Sequence, residues 1–343
     1  MDATASRILI VNQNWLGDVL FSTPAIRAVR RRYPKAFIAC LAPRRAAEAL
    51  SHNPHLDEVI VYDERAALLT LFEPTRVLLA LLRRRFDTAL LFHRSRSKAF
   101  LTLLAGIPHR IGYARAGRGW LLTQAVPPAL VPVHKIDHFL ALVEKAGIPG
   151  AGREPEVHVT REEEMSLAKL LAEAGLAAGV PYAVVHAGGN WDLKRWPADY
   201  FIHWSRLFLE KNKGWKVVLC GASSEKALVE RILEGCRDGG VVSLCGRTSF
   251  GQLAALMKQA RFVLSNDSGP IHVAASQGTP ILGLYGPTSP RETGPVSKGP
   301  VRLLWQDVGC TVPCYFRSCQ GRACMELLTP EEVLERAEEL LAL

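Results

Sequence analysis

Residues 265–290 read SNDSGPIHVAASQGTPILGLYGPTSP, and the architecture of the chain follows from how this run folds. An apolar segment, 261–264, leads in as a strand, and a polar turn follows at 266–270. A short helix is expected over 271–277, and a second strand over 280–285 ends at Gly286-Pro287. A strand, a tight polar turn and a helix N-terminus together make a site for an anion. The first helical amides have no internal partner, and the helix dipole adds partial positive charge there. Asp267 and Ser268 are suited to cap that helix, and Gly269 lets backbone approach a ligand closely. His272 falls in the first helical turn, on the side where a phosphate would sit. An ordinary strand–turn–helix corner would use the same residues. Two strands, glycine-rich turns at both ends and a histidine in the cradle favour a nucleotide diphosphate.

Outward from this run, the totals set bounds. A chain of 343 residues, 48% hydrophobic and 22% charged, is expected to form two soluble domains with substantial cores. No apolar run approaches the roughly 18–20 residues that span a bilayer. The N-terminus passes from MDATASR directly into a strand without a leader pattern, so a cytoplasmic location is expected. The net charge of +9 is uneven. Residues 1–150 hold 21 Lys and Arg against 11 Asp and Glu, whereas 151–343 hold 21 against 22. The first half should therefore meet something anionic: a phosphorylated substrate, a membrane surface or nucleic acid. Nucleic acid is disfavoured, since no binding module or aromatic-interleaved basic stripe is visible.

Short apolar runs at 7–11, 37–42, 59–62, 88–92 and 110–112 alternate with helical segments at 18–32, 75–85 and 97–104. Pro24 is expected in a first turn of the first helix. After a changeover at 150–180, with a candidate strand at 156–159 and a helix at 162–174, the pattern restarts. Strands are expected at 182–186, 215–220 and 241–243, with helices at 198–211, 225–236 and 250–259. This is an α/β chain with two Rossmann-like lobes of mainly parallel sheet and a site in the interlobe cleft. The expected division is 1–165, 176–328 and an amphipathic, acidic C-terminal helix at 329–343.

Candidate chemistry lies at strand ends. Asp18, at the first strand–helix turn, could act as a general base, or as a helix cap. The turn from His186 to Asn190 contains Gly189 and suits close ligand approach. Lys194-Arg195 then supplies a point charge and a fork for phosphate, or two solvated surface cations. Glu225 occupies the next strand edge, where a carboxylate can accept from ribose hydroxyls, and Thr248 lies on the turn after that. In the first lobe Arg94, Arg96 and Lys98 follow a strand. With Arg110, Arg115 and Arg118 they make either a basic rim for an anionic acceptor or a solvated charged loop. P-loop, HExxH, GxSxG and first-strand GxGxxG motifs are all missing, as is a metal-binding DxD. No cofactor is therefore expected. Neutralisation of a diphosphate would fall to Lys194, helix amides and His272. Cys40, Cys220, Cys236 and Cys245 are scattered and fit core packing. Cys310, Cys314, Cys319 and Cys324 are spaced C-x3-C-x4-C-x4-C, which suits either a structural metal or reduced packing thiols.

GDVLFSTPAIRAVR within 7–32, AGIPHRIGY at 105–113, KRWP at 194–197, NDSGPIHVAA at 266–275 and LYGPTSP at 284–290 fall in one order over nearly the whole chain. Together they resemble the lipopolysaccharide heptosyltransferases of glycosyltransferase family 9, most of all the heptosyltransferase II branch. The resemblance implies a GT-B fold and metal-independent, inverting transfer of L-glycero-D-manno-heptose from ADP-heptose to the inner core. It makes Asp18 the base, and places Lys194 on diphosphate and Asp267 on the donor heptose. Ser268, Gly269 and His272 would meet the phosphates, Glu225 the ribose and Thr248 the adenine; His186 receives no chemical role. It further implies an anionic, Kdo-bearing lipid acceptor met peripherally at the cytoplasmic face of the inner membrane. Heptosyltransferase I, another family 9 transferase and a non-catalytic nucleotide-binding protein are the alternatives.

Overall fold

A computed structural model describes residues 5–63, 66, 72–115, 117–236, 239–314, 319 and 321–343. The chain divides into two compact units, Met1–Glu156 and Val157–Leu343. Each is built on one six-stranded, wholly parallel sheet.

In the first unit the strands are β1 (Arg7–Val11), β2 (Phe37–Pro43), β3 (Glu58–Tyr62), β4 (Thr88–Leu91), β5 (His109–Tyr113) and β6 (Gln124–Val126). Their spatial order is β3-β2-β1-β4-β5-β6. The chain winds one way from β1, then returns to lay β4 on the other side, so the loops after β1 and β4 diverge and leave a crevice. The second unit repeats the plan with β7 (Tyr182–His186), β8 (Lys216–Leu219), β9 (Val241–Ser243), β10 (Phe262–Asn266), β11 (Ile281–Tyr285) and β12 (Val301–Trp305). Their order is β12-β11-β10-β7-β8-β9, which puts the switch point between β7 and β10. The strands β7, β10 and β11 are buried throughout, as continuous apolar runs in a parallel sheet should be.

The alternating α/β reading is borne out, with corrections that have physical causes. Residues 156–159 form no strand. Glu156 N–H donates to Thr23 Oγ1 and Val157 C=O accepts from Gln277, so side chains satisfy this backbone rather than a ladder. The strands β6 and β12 and the helix Lys135–Lys145 escape the pattern reading. The first is three residues long, and the second carries Arg302 on a partly exposed sheet edge. Pro24 is not in a first turn but inside the Leu16–Arg32 helix. Proline removes the N–H that would bond the carbonyl four residues back. Here Thr23 Oγ1 donates to that carbonyl, Leu20 O, at 2.8 Å, so the helix continues.

The second core is aromatic. Trp196, Phe201, Trp204, Phe208 and Phe262 pack with the helix Pro330–Leu341, which contributes Val333, Leu334, Ala337 and Leu340. The helix Arg161–Glu173 joins the same unit through Ser166–Gln252 at 3.1 Å and Lys258–Glu164 at 2.8 Å.

Thr23 thus serves two backbone groups from a fully buried position. Thr23→Val should destabilise the protein by about 1–3 kcal/mol, the usual cost of orphaned buried polar groups. In a Pro24→Ala background, Leu20 O regains a helical donor and the cost should shrink. Urea unfolding of the four-member cycle checks this; equal costs in both backgrounds would refute the account.

Candidate active site

In the second unit, the switch point is organised by Asn266, fully buried at the end of β10. Its Nδ2 donates to Ala187 O at 2.8 Å and Gly188 O at 3.1 Å, while Oδ1 accepts from Trp196 N–H at 3.1 Å. One side chain therefore fixes the turn after β7 and the segment carrying Lys194. Lys194 Nζ lies 2.8 Å from Asp267 Oδ2, and Thr288 Oγ1 donates to the same oxygen at 2.6 Å. Asp267 is only 5% exposed. Burial, and then the Asp267 carboxylate, push the Tyr285 hydroxyl pKa well up.

Three adjacent strands carry a second chain of contacts. Glu225, in the turn after β8, accepts from Gly189 N–H at 2.7 Å and Ala222 N–H at 2.8 Å. His186 Nε2 is 3.4 Å from Glu225 Oε2, and its Nδ1 is 2.9 Å from Ser268 Oγ. The two ring nitrogens of His186 thus link the Glu225 carboxylate to the Ser268 hydroxyl. Burial opposes ionisation of Glu225, but His186, by hydrogen bond and charge, and the two amides outweigh it and hold the carboxyl at about 2. The turn requires glycine: a Cβ on Gly188 would fall 1.8 Å from Glu225 Oε1, and Gly189 has φ +154°. Gly246 N–H donates to Gly221 O at 2.8 Å, which brings the Thr248 turn beside that of Glu225.

Asp18 occupies the third position of the Leu16–Arg32 helix, after an N-cap Trp15 that makes no side-chain cap bond. It is therefore not the cap. Lys135 Nζ stands 3.6 Å from its carboxylate. Around it the first switch point is tied together by Gln13 Nε2 donating to Phe92 O at 2.6 Å and by Lys98 Nζ donating to Asn14 Oδ1 at 2.8 Å. Arg94 Nη2 is 3.1 Å from His138 Nε2. Burial, then Arg94 and Lys135, lower the His138 pKa to about 4. Burial, then Lys98 and Arg118, lower that of His93 to about 3. Both imidazoles are neutral at pH 7. Arg96 is exposed beside Gly117.

Several expectations need correcting. Asp267 and Ser268 do not cap the Gly269–Gln277 helix, because their side chains bond Lys194, Thr288 and His186 instead. The amide end is left without a side-chain cap. His272 is enclosed, at 3% exposure, rather than displayed in the cradle. Arg110 sits at the start of β5, the sheet edge opposite Arg94, Arg96 and Lys98, and donates to Leu121 O at 2.8 Å. It takes no part in a common basic rim. Arg118 is not on a rim either. It is 1% exposed, and among the described residues its Nε and Nη2 find no hydrogen-bond partner. Burial, then Arg115 and Arg94, lower its pKa to about 10. Asn266, His186, Thr288 and Lys135 were missed as organisers. Asn266 and Thr288 lie in quoted motifs, whereas the roles of His186 and Lys135 depend on contacts remote in sequence.

Comparison with known proteins bears on family and fold. A family model described as glycosyltransferase family 9 (heptosyltransferase) matches residues 75–319. Lipopolysaccharide heptosyltransferase 2 of Salmonella typhimurium is 29% identical over 360 aligned residues, covering 98% of this chain and 99% of the relative. The structure of the Escherichia coli ADP-heptose lps heptosyltransferase II matches with a TM-score of 0.81 at 26% identity, over 98% of each chain. The glycosyl transferase family 9 from Veillonella parvula DSM 2008 matches with a TM-score of 0.87 at 23% identity, over 100% of this chain and 99% of that one, a likeness of fold. Two doubly wound parallel-sheet units, with Asp18 and Lys194 each in the region after a sheet's first strand, and a family match over most of the chain lead to one conclusion: the chain belongs to glycosyltransferase family 9.

Proposed function

We propose that the protein transfers L-glycero-D-manno-heptose from ADP-heptose to the Kdo-bearing inner core of lipopolysaccharide, as a heptosyltransferase II. The observation that carries this reading is the second switch point, where Lys194 is fixed beside a helix end left open by its own side chains. An ammonium and helix amides that no side chain caps are elements suited to receive a diphosphate without a bridging metal. Lys194, Ser268 and Gly269 take the phosphates, His272 lies under them, and Asp267 reaches the donor heptose. Gly189 allows close approach. Glu225 retains acceptor capacity for ribose beyond its two amide bonds, and Thr248 flanks the adenine.

Asp18 removes the proton from the acceptor hydroxyl. As that oxygen bonds the anomeric carbon from the opposite face, the bond to the diphosphate breaks and its electron pair leaves with ADP. The configuration inverts. Arg94, Arg96 and Lys98 recognise the anionic acceptor, and buried Arg118 supplies a cation awaiting compensation. Among the described residues, no helix is long and apolar enough to cross a membrane. With the basic excess in residues 1–150, this favours a peripheral position at the cytoplasmic face of the inner membrane.

ADP release from ADP-heptose with a monoheptosylated Kdo–lipid A acceptor, in excess EDTA, tests the reaction. Wild-type turnover is expected, and Asp18→Ala should lose at least about a hundredfold in kcat while still binding ADP. An inert wild type that binds ADP would redirect the search to another sugar or acceptor. Lys194→Gln should weaken ADP-heptose binding by about 10–100-fold, the range for a charge-assisted contact; unchanged affinity would remove Lys194 from the donor site. Glu225→Gln separates scaffold from ligand roles. Its depressed pKa contributes stability that is present above about 4.5 and lost as pH falls towards about 2. The mutant should therefore be less stable at pH 7, with the gap narrowing through that window in urea melts. A gap independent of pH would contradict the linkage.

A further inference from the structure

The chain has two kinds of cysteine. Cys40, Cys220, Cys236 and Cys245 are buried and fill core space. Cys310 and Cys319 are exposed and Cys314 and Cys324 half-buried, all within fifteen residues, so packing does not account for them. All four border one cavity of about 240 Å³, together with Leu193, Gly286, Pro287, Trp305 and Arg322 among others. Cys314 and Cys324 lie against the turn after β11. Cys314 N–H donates to Pro287 O at 2.7 Å, and Cys324 Sγ lies 3.1 Å from where a Cβ on Gly286 would be.

We propose that Cys310, Cys314, Cys319 and Cys324 form a four-thiolate site for one soft divalent ion, zinc first, which braces this turn away from the reacting centre. Among the described residues, no three metal-ligating side chains already converge on a common point. Zinc–sulfur bonds of about 2.3 Å set tetrahedral sulfurs about 3.8 Å apart. The ion therefore completes the convergence as it binds, which is the ordinary coupling of a metal site to local folding. Four thiol protons pass to solvent, and Arg322, on the same cavity, lies where it offsets the doubly negative complex. The bracing reaches the donor loops directly. Leu193 precedes Lys194, and Pro287 precedes the Thr288 that bonds Asp267. The inference goes beyond the transferase reading and does not need it, because every readout below is made without substrate.

The test uses the full chain, isolated from zinc-replete cells and also reconstituted with zinc or cobalt under reducing conditions. About one zinc per chain by elemental analysis is expected, with the four thiols of Cys310, Cys314, Cys319 and Cys324 protected from an aromatic disulfide reagent. A mercurial should then release the zinc in one step. Cobalt should give the intense near-ultraviolet thiolate charge-transfer bands of a tetrahedral sulfur site. Hydrogen exchange at 286–290 should be slower with metal than without, and an unchanged rate would remove the bracing role. Cys319→Ser and, independently, Cys310→Ser should lower bound metal at least tenfold. Metal-free wild type with four reactive thiols after reconstitution would overturn the site, as would two disulfides. Iron with acid-labile sulfide would overturn the single-ion assignment.

Discussion

Asn266 is the joint on which the second unit's loops depend. A parallel sheet leaves its strand ends as separate loops with unpaired backbone groups, and nothing in the ladder itself relates one loop to the next. A buried amide that donates twice to the β7 turn and accepts once from the Lys194 segment supplies that relation. It is satisfied on both ends and lies below the surface, so it positions the Lys194 segment without competing for a ligand. Lys194, Asp267 and Thr288 then follow as a second tier, and the Glu225–His186–Ser268 chain as a third.

The two units solve the same topological problem with different chemistry. The second closes its switch point with compensated charge: lysine against aspartate, glutamate against amides and histidine. The first leaves cations in excess. Among the described residues Arg118 is buried without hydrogen-bond partners at two of its nitrogens, and His93 and His138 are kept neutral by burial and the arginines and lysines around them. Neutral imidazoles can share a crowded basic region, where imidazolium rings would add to the repulsion. Under the proposed assignment, such a region meets an anion that arrives with the substrate.

Much of this was legible in the residues, for reasons that also explain the failures. Runs such as Arg7–Val11 and Tyr182–His186 are buried on both faces, and a continuous apolar run has few other fates, so their limits were read to the residue. The strand β12 could not be read that way, because an edge strand with Arg302 loses the run that marks a buried one. Pro24 misled because proline marks a first turn unless something else takes the freed carbonyl, and Thr23 does so only in three dimensions. The positions of Asp267 and Ser268 after β10 were visible because strand–turn–helix corners are local. Arg110 was misassigned because sequence proximity to a basic cluster says nothing about which end of the sheet a residue near a strand's start lies on. His186 was invisible as an organiser because its partners lie 39 and 82 residues away.

The Lys194–Asp267 pair has a bearing on turnover. An ammonium without a partner would hold any passing phosphate and would have to shed its water when the donor arrived. Here a carboxylate already neutralises it, so under the proposed assignment a diphosphate gains it by exchange of counter-ions rather than by fresh desolvation. Such an exchange returns less free energy than capture by a bare cation. Under the proposed assignment, spent nucleotide leaves as Asp267 reclaims the lysine, and the resting enzyme resists clogging by the inorganic phosphate around it.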